Sequence, residues 1–286
     1  MSNSKNLCSP QQLQQNLGSA AIRVLDCSWY LPAQQIDAPQ EYLARHIPGA
    51  AFFDIDKICD QQSDLPHMLP NADKFASQVE KLGINDDSEV VVYDTAGIFS
   101  AARVWWMFHV FGHTKVRVLN GGLPSWLDNG GEVSDKPVKI ASAAGQRFTP
   151  QFDATMVATR NELLENCDTR EKLILDARSG SRFLGLAPEP RPGLPSGHMP
   201  QSVSLPFDHL LDAGKLKPKV DLLSLFNDLG VREGTPVVTS CGSGVTAAII
   251  TLALAECGFG MQSLYDGAWA EWGSAPDTLI LIDATL

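Results

Sequence analysis

The 286-residue sequence lacks paired cysteines, long apolar runs and an excess of positive charge. None of its six cysteines forms a CxxC pair or a metal-ligand spacing, which argues against a zinc site and against a disulfide framework. No run of about 18 apolar residues occurs, so no membrane-spanning helix is expected. The formal net charge of -11 disfavours nucleic acid and anionic membranes as partners, because both would repel the molecule.

The amino-terminal stretch also lacks the basic-then-apolar pattern of a secretory signal. Together with the absence of apolar runs, this predicts a soluble cytoplasmic protein. The length and the 44% hydrophobic content allow either one large core or two cores of ordinary size, and the usual domain length favours two.

An internal repeat supports two domains. Residues 91–126 match residues 237–272 at one constant offset of 146 positions, so that Gly121 corresponds to Gly267 and Trp126 to Trp272. Such a match over a long span indicates two copies of one structural unit. We therefore predict a first domain over residues 1–135, a linker rich in small and polar residues over 136–156, and a second domain over 157–286.

Each copy consists of short β-branched runs that alternate with amphipathic or apolar helical stretches. Parallel strands need crossover helices and are buried on both faces, so this alternation predicts an α/β fold with a mainly parallel sheet flanked by helices. In such sheets, ligands bind beyond the carboxyl ends of the strands, where loops meet helix amino termini.

One cysteine lies at such a position. Cys241 begins the turn CGSG between a strand over residues 236–240 and a helix that is expected to begin at Val245. The two glycines let successive backbone N–H groups point at a common centre, where a thiolate or persulfide would be stabilised. A cysteine phosphatase would need an arginine six residues after the nucleophile. That position holds Ala247, which argues against a phosphatase. The alternative is that Cys241 has a purely structural role, as a buried cysteine in a glycine-rich turn.

The duplication, HIPGA at His46, DARSGSRF at Asp176, PEPR at Pro188 and CGSGVTA at Cys241 together resemble the 3-mercaptopyruvate sulfurtransferases of the rhodanese superfamily. The resemblance covers nearly the whole chain and implies two tandem rhodanese-like domains. It implies that only the second domain is catalytic, because Thr95 stands at the position that corresponds to Cys241. The implied reaction moves sulfur from 3-mercaptopyruvate, through a Cys241 persulfide, to a thiol acceptor or cyanide and releases pyruvate.

Thiosulfate sulfurtransferases of the same superfamily carry basic residues directly after the cysteine, whereas this chain has Gly242 and Ser243. The neutral loop therefore implies mercaptopyruvate as the donor. Three alternatives remain: a thiosulfate:cyanide sulfurtransferase, a non-enzymatic regulatory module, and a persulfide carrier that is loaded by a partner protein. Fold analogy alone does not choose between them.

The resemblance also assigns site residues. Arg182 and Arg191 match arginines that bind the carboxylate and carbonyl of the substrate, and a guanidinium fork suits that geometry. Arg178 is expected instead to form a structural ion pair with Asp176 or another carboxylate.

Ser243 is expected to donate or relay a proton to the leaving enolate, supported by His46 and Asp37, which match a relay in the family. The remaining loop positions are expected to line the cradle for substrate and persulfide, with Thr246 as either a ligand or a local helix cap: Gly242, Gly244, Val245, Thr246. A small thiol, cyanide or reduced thioredoxin would then remove the outer sulfur, with no metal or cofactor.

Overall fold

The computed structural model describes residues 4–138, 140 and 147–282. Contacts among them define two compact units. The first comprises Met1–Gln62, Leu69–Asp153 and Ala213–Leu216; the second comprises Ser63–Met68, Ala154–Asp212 and Lys217–Leu286. The positions at the two chain ends and residues 139 and 141–146 of the predicted linker lie outside the described residues.

The first unit is built on a five-stranded sheet with the strand order β1-β5-β4-β2-β3. Every neighbouring pair in it is parallel. The central strands are rich in β-branched residues, as expected of parallel strands that are buried on both faces. The strands are β1 (Leu7–Cys8), β2 (Ile22–Asp26), β3 (Ala51–Phe52), β4 (Glu89–Tyr93) and β5 (Val116–Leu119).

Helices supply the crossovers between these strands. The helix after β4 is buried along its whole length, including the indoles of Trp105 and Trp106, so it forms the centre of the core on its face of the sheet. A 3-10 turn covers Pro32–Gln34. The helices are α1 (Pro10–Asn16), α2 (Ala38–Ala44), α3 (Ala72–Lys81), α4 (Ala101–Val110) and α5 (Gly122–Asp128).

The second unit repeats the arrangement with the strand order β6-β12-β11-β7-β8, again with parallel neighbours. Its strands are β6 (Val157–Ala158), β7 (Leu173–Asp176), β8 (Ser202–Ser204), β11 (Val237–Ser240) and β12 (Ser263–Tyr265). Its helices are α6 (Arg160–Thr169), α7 (Gly180–Phe183), α8 (Lys219–Asp228), α9 (Ala247–Cys257) and α10 (Ala268–Trp272). Short 3-10 turns cover Ala154–Met156 and Phe207–Leu210, and two further short strands, β9 (Leu211–Asp212) and β10 (Lys215–Leu216), lie outside the two sheets.

The predicted α/β class and the parallel sheets are confirmed, with one correction at the loop that carries Cys241. Helix α9 begins at Ala247 and not at Val245. The amides of Ala248 and Ile249 donate to carbonyls only three residues earlier, at 3.3 and 3.1 Å, so the chain first makes a tight turn and then enters the α-helix. The two-residue edge strands β1 and β6 were not predicted, because they are too short to show a periodicity.

Part of the predicted linker packs on the first unit. Phe148 is buried, and its amide donates to Glu80 at 2.9 Å. The amide of Gln151 donates to the carbonyl of Phe111, also at 2.9 Å. The division between the units falls after Asp153, inside the predicted linker, and the domain limits at residues 135 and 157 stay predictions. None of the described helices is long and apolar enough to cross a membrane.

The loop after β4 closes around a buried carboxylate. Asp94 accepts hydrogen bonds from the backbone amides of Ala96, Phe99 and Ala101 at 3.0, 2.8 and 2.9 Å. Burial raises the pKa of the Asp94 carboxyl, and the three amide contacts oppose that shift. A strand–loop–helix of this shape therefore aims several N–H groups at one anionic centre.

Asp94→Asn tests how far the first unit depends on this contact. The amide nitrogen of asparagine must replace one carboxylate oxygen, so at least one backbone N–H would face another donor, and we expect a loss of about 1–3 kcal/mol in the free energy of unfolding. Urea denaturation measures the loss. Asp87→Asn, at a side chain that is 98% exposed, is the control and should change stability little; equal effects in the two variants would contradict this role.

Candidate active site

Cys241 follows directly after the buried strand β11 and is itself only 2% exposed. Its carbonyl accepts a hydrogen bond from the amide of Trp269 at 2.9 Å, and the carbonyl of Gly242 accepts one from Ala270 at 3.0 Å. The start of α10 thus binds the carbonyls of the loop. Gly244 adopts φ +74°, a left-handed conformation that lets the chain curl and that other residues adopt only with strain.

The amides of this loop are available for a ligand. Among the described residues, the backbone N–H groups of Gly242 and Val245 have no acceptor. The repeat equates these positions with Ala96 and Phe99, whose amides bind the Asp94 carboxylate. A serine stands at the position of that aspartate in the second copy, and its buried hydroxyl has no partner in the described part of the chain. The second loop therefore has an anion cradle that the neighbouring side chain does not fill.

Two guanidinium groups reach the loop backbone. A methyl group placed on Gly242 would lie 3.1 Å from Nη2 of Arg182 and 3.9 Å from Nη1 of Arg191. Arg182 belongs to the short helix α7, and Arg191 lies in the loop that follows it. The structure thus brings the two predicted clamp arginines together beside Cys241, which provides positive charge for an anionic donor.

A buried carboxylate orients Arg182. Glu189, whose side chain is 2% exposed, accepts a hydrogen bond from Nε of Arg182 at 3.2 Å and a second, short one from its Nη2. The same carboxylate accepts from Nη1 of Arg178 at 2.8 Å. Sequence analysis gave Glu189 no role, although it lies within the PEPR motif.

Arg178 is the buried centre of this network. Its Nε and Nη2 atoms form a bidentate pair with Asp176 at distances from 2.7 to 3.1 Å, and Nη2 also donates to the carbonyl of Gly197 at 2.8 Å. Its guanidinium lies 4.0 Å from the centre of the Trp269 ring. The expectation that Arg178 forms structural ion pairs is confirmed.

The hydroxyl of Ser243 is buried and lies 3.3 Å from Nδ1 of His67. His67 is also buried and has φ +60°, so its backbone is held in an uncommon conformation by its surroundings. Sequence analysis missed this residue. Its only signal is a histidine between two prolines, in the stretch LPHMLP, which has no periodicity.

The predicted relay residues have other contacts. His46 is buried, with Nδ1 2.7 Å from the carbonyl of Tyr42 and its ring stacked on that tyrosine. The exposed carboxylate of Asp37 caps α2 by accepting from the amide of Gln40 at 3.2 Å. Among the described residues, the histidine that contacts Ser243 is thus His67, and the relay role of His46 and Asp37 stays a prediction that no described contact supports.

The remaining loop residues close the turn. Val245 is buried, and Thr246 is half-buried at the position before α9. Its hydroxyl does not cap the helix, so the local-cap interpretation of Thr246 is wrong. A role of either residue in ligand binding stays a prediction.

The other five cysteines are buried or half-buried free thiols. Burial raises the pKa of each of their thiols, which keeps them protonated and unreactive near neutral pH; for Cys257 the pKa rises to about 11. Within the described ranges, no group of three or more histidine, cysteine or acidic side chains could hold a metal ion.

The sequence profile described as "Rhodanese-like domain" matches residues 9–129 and 159–275. The chain belongs to the rhodanese family. Two rhodanese domains in tandem are what the repeat and the resemblance predicted, and that prediction is confirmed. Each match includes four of the five strands of one sheet, and the edge strands β1 and β6 end directly before the matches begin.

Named relatives resemble this chain over most of its length. A protein of Arabidopsis thaliana named thiosulfate/3-mercaptopyruvate sulfurtransferase 2 is 43% identical over 300 residues, covering 98% of this chain and 88% of the relative. The 3-mercaptopyruvate sulfurtransferase of Mus musculus is 43% identical over 257 residues, covering 89% and 86%. The crystal structure of SseA, a 3-mercaptopyruvate sulfotransferase of Escherichia coli, has a TM-score of 0.83 at 36% identity and covers 92% of this chain and 98% of that one.

Gly242→Ala tests the arginines beside the rhodanese loop. The φ of Gly242 is not left-handed and no backbone lies within 4 Å of the added methyl, so we expect the free energy of unfolding to change by less than about 1 kcal/mol. The methyl should push Nη2 of Arg182 aside, because 3.1 Å is too short for an unstrained contact. We therefore expect alkylation of Cys241 by anionic iodoacetate, relative to neutral iodoacetamide, to fall by about threefold.

Gly180→Ala is the matched control, because a methyl there would meet nothing closer than 4.0 Å. A reagent ratio that is unchanged in Gly242→Ala, or equally changed in both variants, would mean that the guanidinium groups do not act on the reacting sulfur. Peptide mass spectrometry reads the modification at Cys241 separately from that at the other thiols.

Proposed function

We propose that this rhodanese takes a sulfane sulfur from 3-mercaptopyruvate, holds it as a persulfide on Cys241, and passes it to a thiol acceptor or cyanide. The observation that carries the proposal is the convergence of Arg182 and Arg191 on Gly242, directly beside Cys241. Relatives that are 43% identical to this chain and are named for this activity support the proposal.

The first half-reaction moves one sulfur atom. The Cys241 thiolate attacks the sulfur of the donor, an S–S bond forms, and the donor's C–S bond breaks with its electron pair going to the enolate of pyruvate. The proton of the donor thiol finally resides on the enolate carbon, which gives pyruvate and a persulfide anion. Free amides of Gly242 and Val245 suit that anion, because they are preorganised donors.

The donor is a 2-keto carboxylate, and two guanidinium groups can hold its oxygens. Arg182 and Arg191 lie on the same side of Gly242, where one can bind the carboxylate and the other the neighbouring carbonyl. Binding both oxygens orients the terminal thiol toward Cys241, so that the reacting sulfur atoms are held in contact.

Ser243 transfers the proton to the enolate. Its hydroxyl lies two residues after the nucleophile and contacts Nδ1 of His67, which can take up or supply the proton that the hydroxyl relays. This step is specific to a carbon leaving group, because sulfite released from thiosulfate needs no proton on carbon.

The second half-reaction regenerates the cysteine. A small thiol, cyanide or a reduced thioredoxin attacks the outer sulfur of the persulfide, directly or through a mixed disulfide. None of these steps requires a metal or an organic cofactor. The cytoplasmic localisation and the identity of the acceptor stay predictions.

Thiosulfate is the second candidate donor, since the Arabidopsis relative is named for both donors. The loop here places no basic side chain at Gly242 or Ser243, which favours a singly charged donor over a doubly charged one. A purely regulatory module or a carrier without a small-molecule donor would have no use for paired arginines at the cysteine.

A comparison of two donors tests the assignment. We expect kcat/KM for pyruvate release from 3-mercaptopyruvate to exceed that for sulfite release from thiosulfate by at least about tenfold, or roughly 1.4 kcal/mol in transition-state binding. Cys241→Ser should abolish both, and donor-treated wild type should gain about 32 daltons, one sulfur, on Cys241. Equal or reversed donor preference would overturn the donor assignment, and turnover without the adduct would overturn the persulfide.

Ser243→Ala and His67→Asn test the proton step. We expect each to lower kcat with mercaptopyruvate by roughly 100-fold and the double variant to lower it little further, because the two side chains act in one transfer. Turnover of thiosulfate should change by less than about threefold, since its leaving group takes no proton on carbon. Ser224→Ala, at an exposed position of α8, is the control. Equal losses with both donors would contradict a role in proton transfer.

A further inference from the structure

We propose that Glu189 is a positioning and specificity-determining residue: it fixes the plane of the Arg182 guanidinium and reduces the positive charge beside Cys241, so that the site selects a singly charged sulfur donor over a doubly charged one. The inference rests on the proposed function, because it concerns donor choice at that same cysteine. Glu189 itself is too deeply buried, at 2% side-chain exposure, to be expected in contact with the donor.

The contacts of Glu189 determine the orientation of the Arg182 guanidinium. Two atoms on one edge of that guanidinium, Nε and Nη2, donate to the two oxygens of Glu189. A side-on pair of this kind fixes both the distance and the plane of the group. The side chain of Arg182 is 22% exposed, so without this anchor it would sample other rotamers and lose its approach to Gly242.

Glu189 is held in turn from its other side. Nη1 of Arg178 donates to it at 2.8 Å, and Arg178 is locked by Asp176 and by the ring of Trp269. The amide of Trp269 donates to the carbonyl of Cys241. The network therefore runs from the nucleophile's own backbone to Arg182, and every member has a defined partner, which is the condition for rigid orientation.

The charges of the network explain selectivity. Three guanidinium groups and two carboxylates meet there, so these five side chains sum to one positive charge: Arg178, Arg182, Arg191, Asp176, Glu189. A keto carboxylate donor carries one negative charge, whereas thiosulfate carries two. In a poorly solvated site, an excess or deficit of one unit of charge strongly affects which anion binds.

Glu189→Gln removes the charge and keeps the size of the side chain. We expect the ratio of kcat/KM for mercaptopyruvate to kcat/KM for thiosulfate to fall by at least about tenfold, with a lower KM for thiosulfate. Glu189→Asp keeps the charge, and its ratio should stay within about threefold of wild type although both kcat/KM values fall through a higher KM. Glu165→Gln, at an exposed position of α6, is the matched control and should leave the ratio unchanged.

The ratio of the two kcat/KM values does not depend on the fraction of the protein that is folded, because both donors deliver sulfur to the same Cys241. Parallel losses with both donors in Glu189→Gln would overturn the proposal and leave Glu189 a structural residue only. Should that variant fail to fold, Glu189→Asp decides: its carboxylate is too short to reach both arginines, so KM for mercaptopyruvate should rise at least about fivefold with kcat little changed. An unchanged KM would overturn the positioning role.

Wild-type turnover in the same assay separates this inference from the proposed function. Failure of the wild type to release pyruvate from mercaptopyruvate would overturn both. Normal wild-type turnover combined with an unaltered donor ratio in Glu189→Gln would overturn only the role of Glu189.

Discussion

The buried guanidinium of Arg178 connects the parts of the second unit that form the candidate active site. It binds the carboxylate at the end of β7, the carboxylate of Glu189, the carbonyl of Gly197 and the face of Trp269. A buried cation is tolerated only when its donors are matched, and here four different segments supply the partners. Removing either carboxylate would change the balance of buried charge beside Cys241, so the arrangement of this network depends on both ion pairs.

The two copies of the unit use the same loop in opposite ways. In the first, the amides of the loop donate to the carboxylate of Asp94. The protein's own side chain thus occupies the anion position, and the loop is structural. In the second, Ser240 stands at that position and its hydroxyl has no partner among the residues that the structure describes, so the cradle is available for an anion on Cys241. The residue types at two neighbouring positions thus distinguish the loops on the same backbone plan: Asp94 and Thr95 in the first, Ser240 and Cys241 in the second.

Residues in local motifs of this chain could be predicted from the sequence, whereas isolated residues in aperiodic segments could not. Cys241, Gly242 and Arg182 belong to local motifs, and the structure brings them together as expected. His67 was missed, because a histidine in an aperiodic stretch between prolines looks like any loop residue. His46 was selected through a motif resemblance, yet its described contacts are those of a packed histidine on Tyr42.

The amino-acid sequence by itself determined the duplication, the parallel α/β class and the glycine-rich turn that carries Cys241. All three follow from local spacing: repeated glycines, alternating apolar runs, and a cysteine between a strand and a helix. Only the tertiary structure decided which histidine contacts Ser243 and which carboxylate holds Arg182. Those pairings join side chains on separate segments, and their geometry depends on how buried charges are neutralised in three dimensions, a constraint that no short-range pattern records.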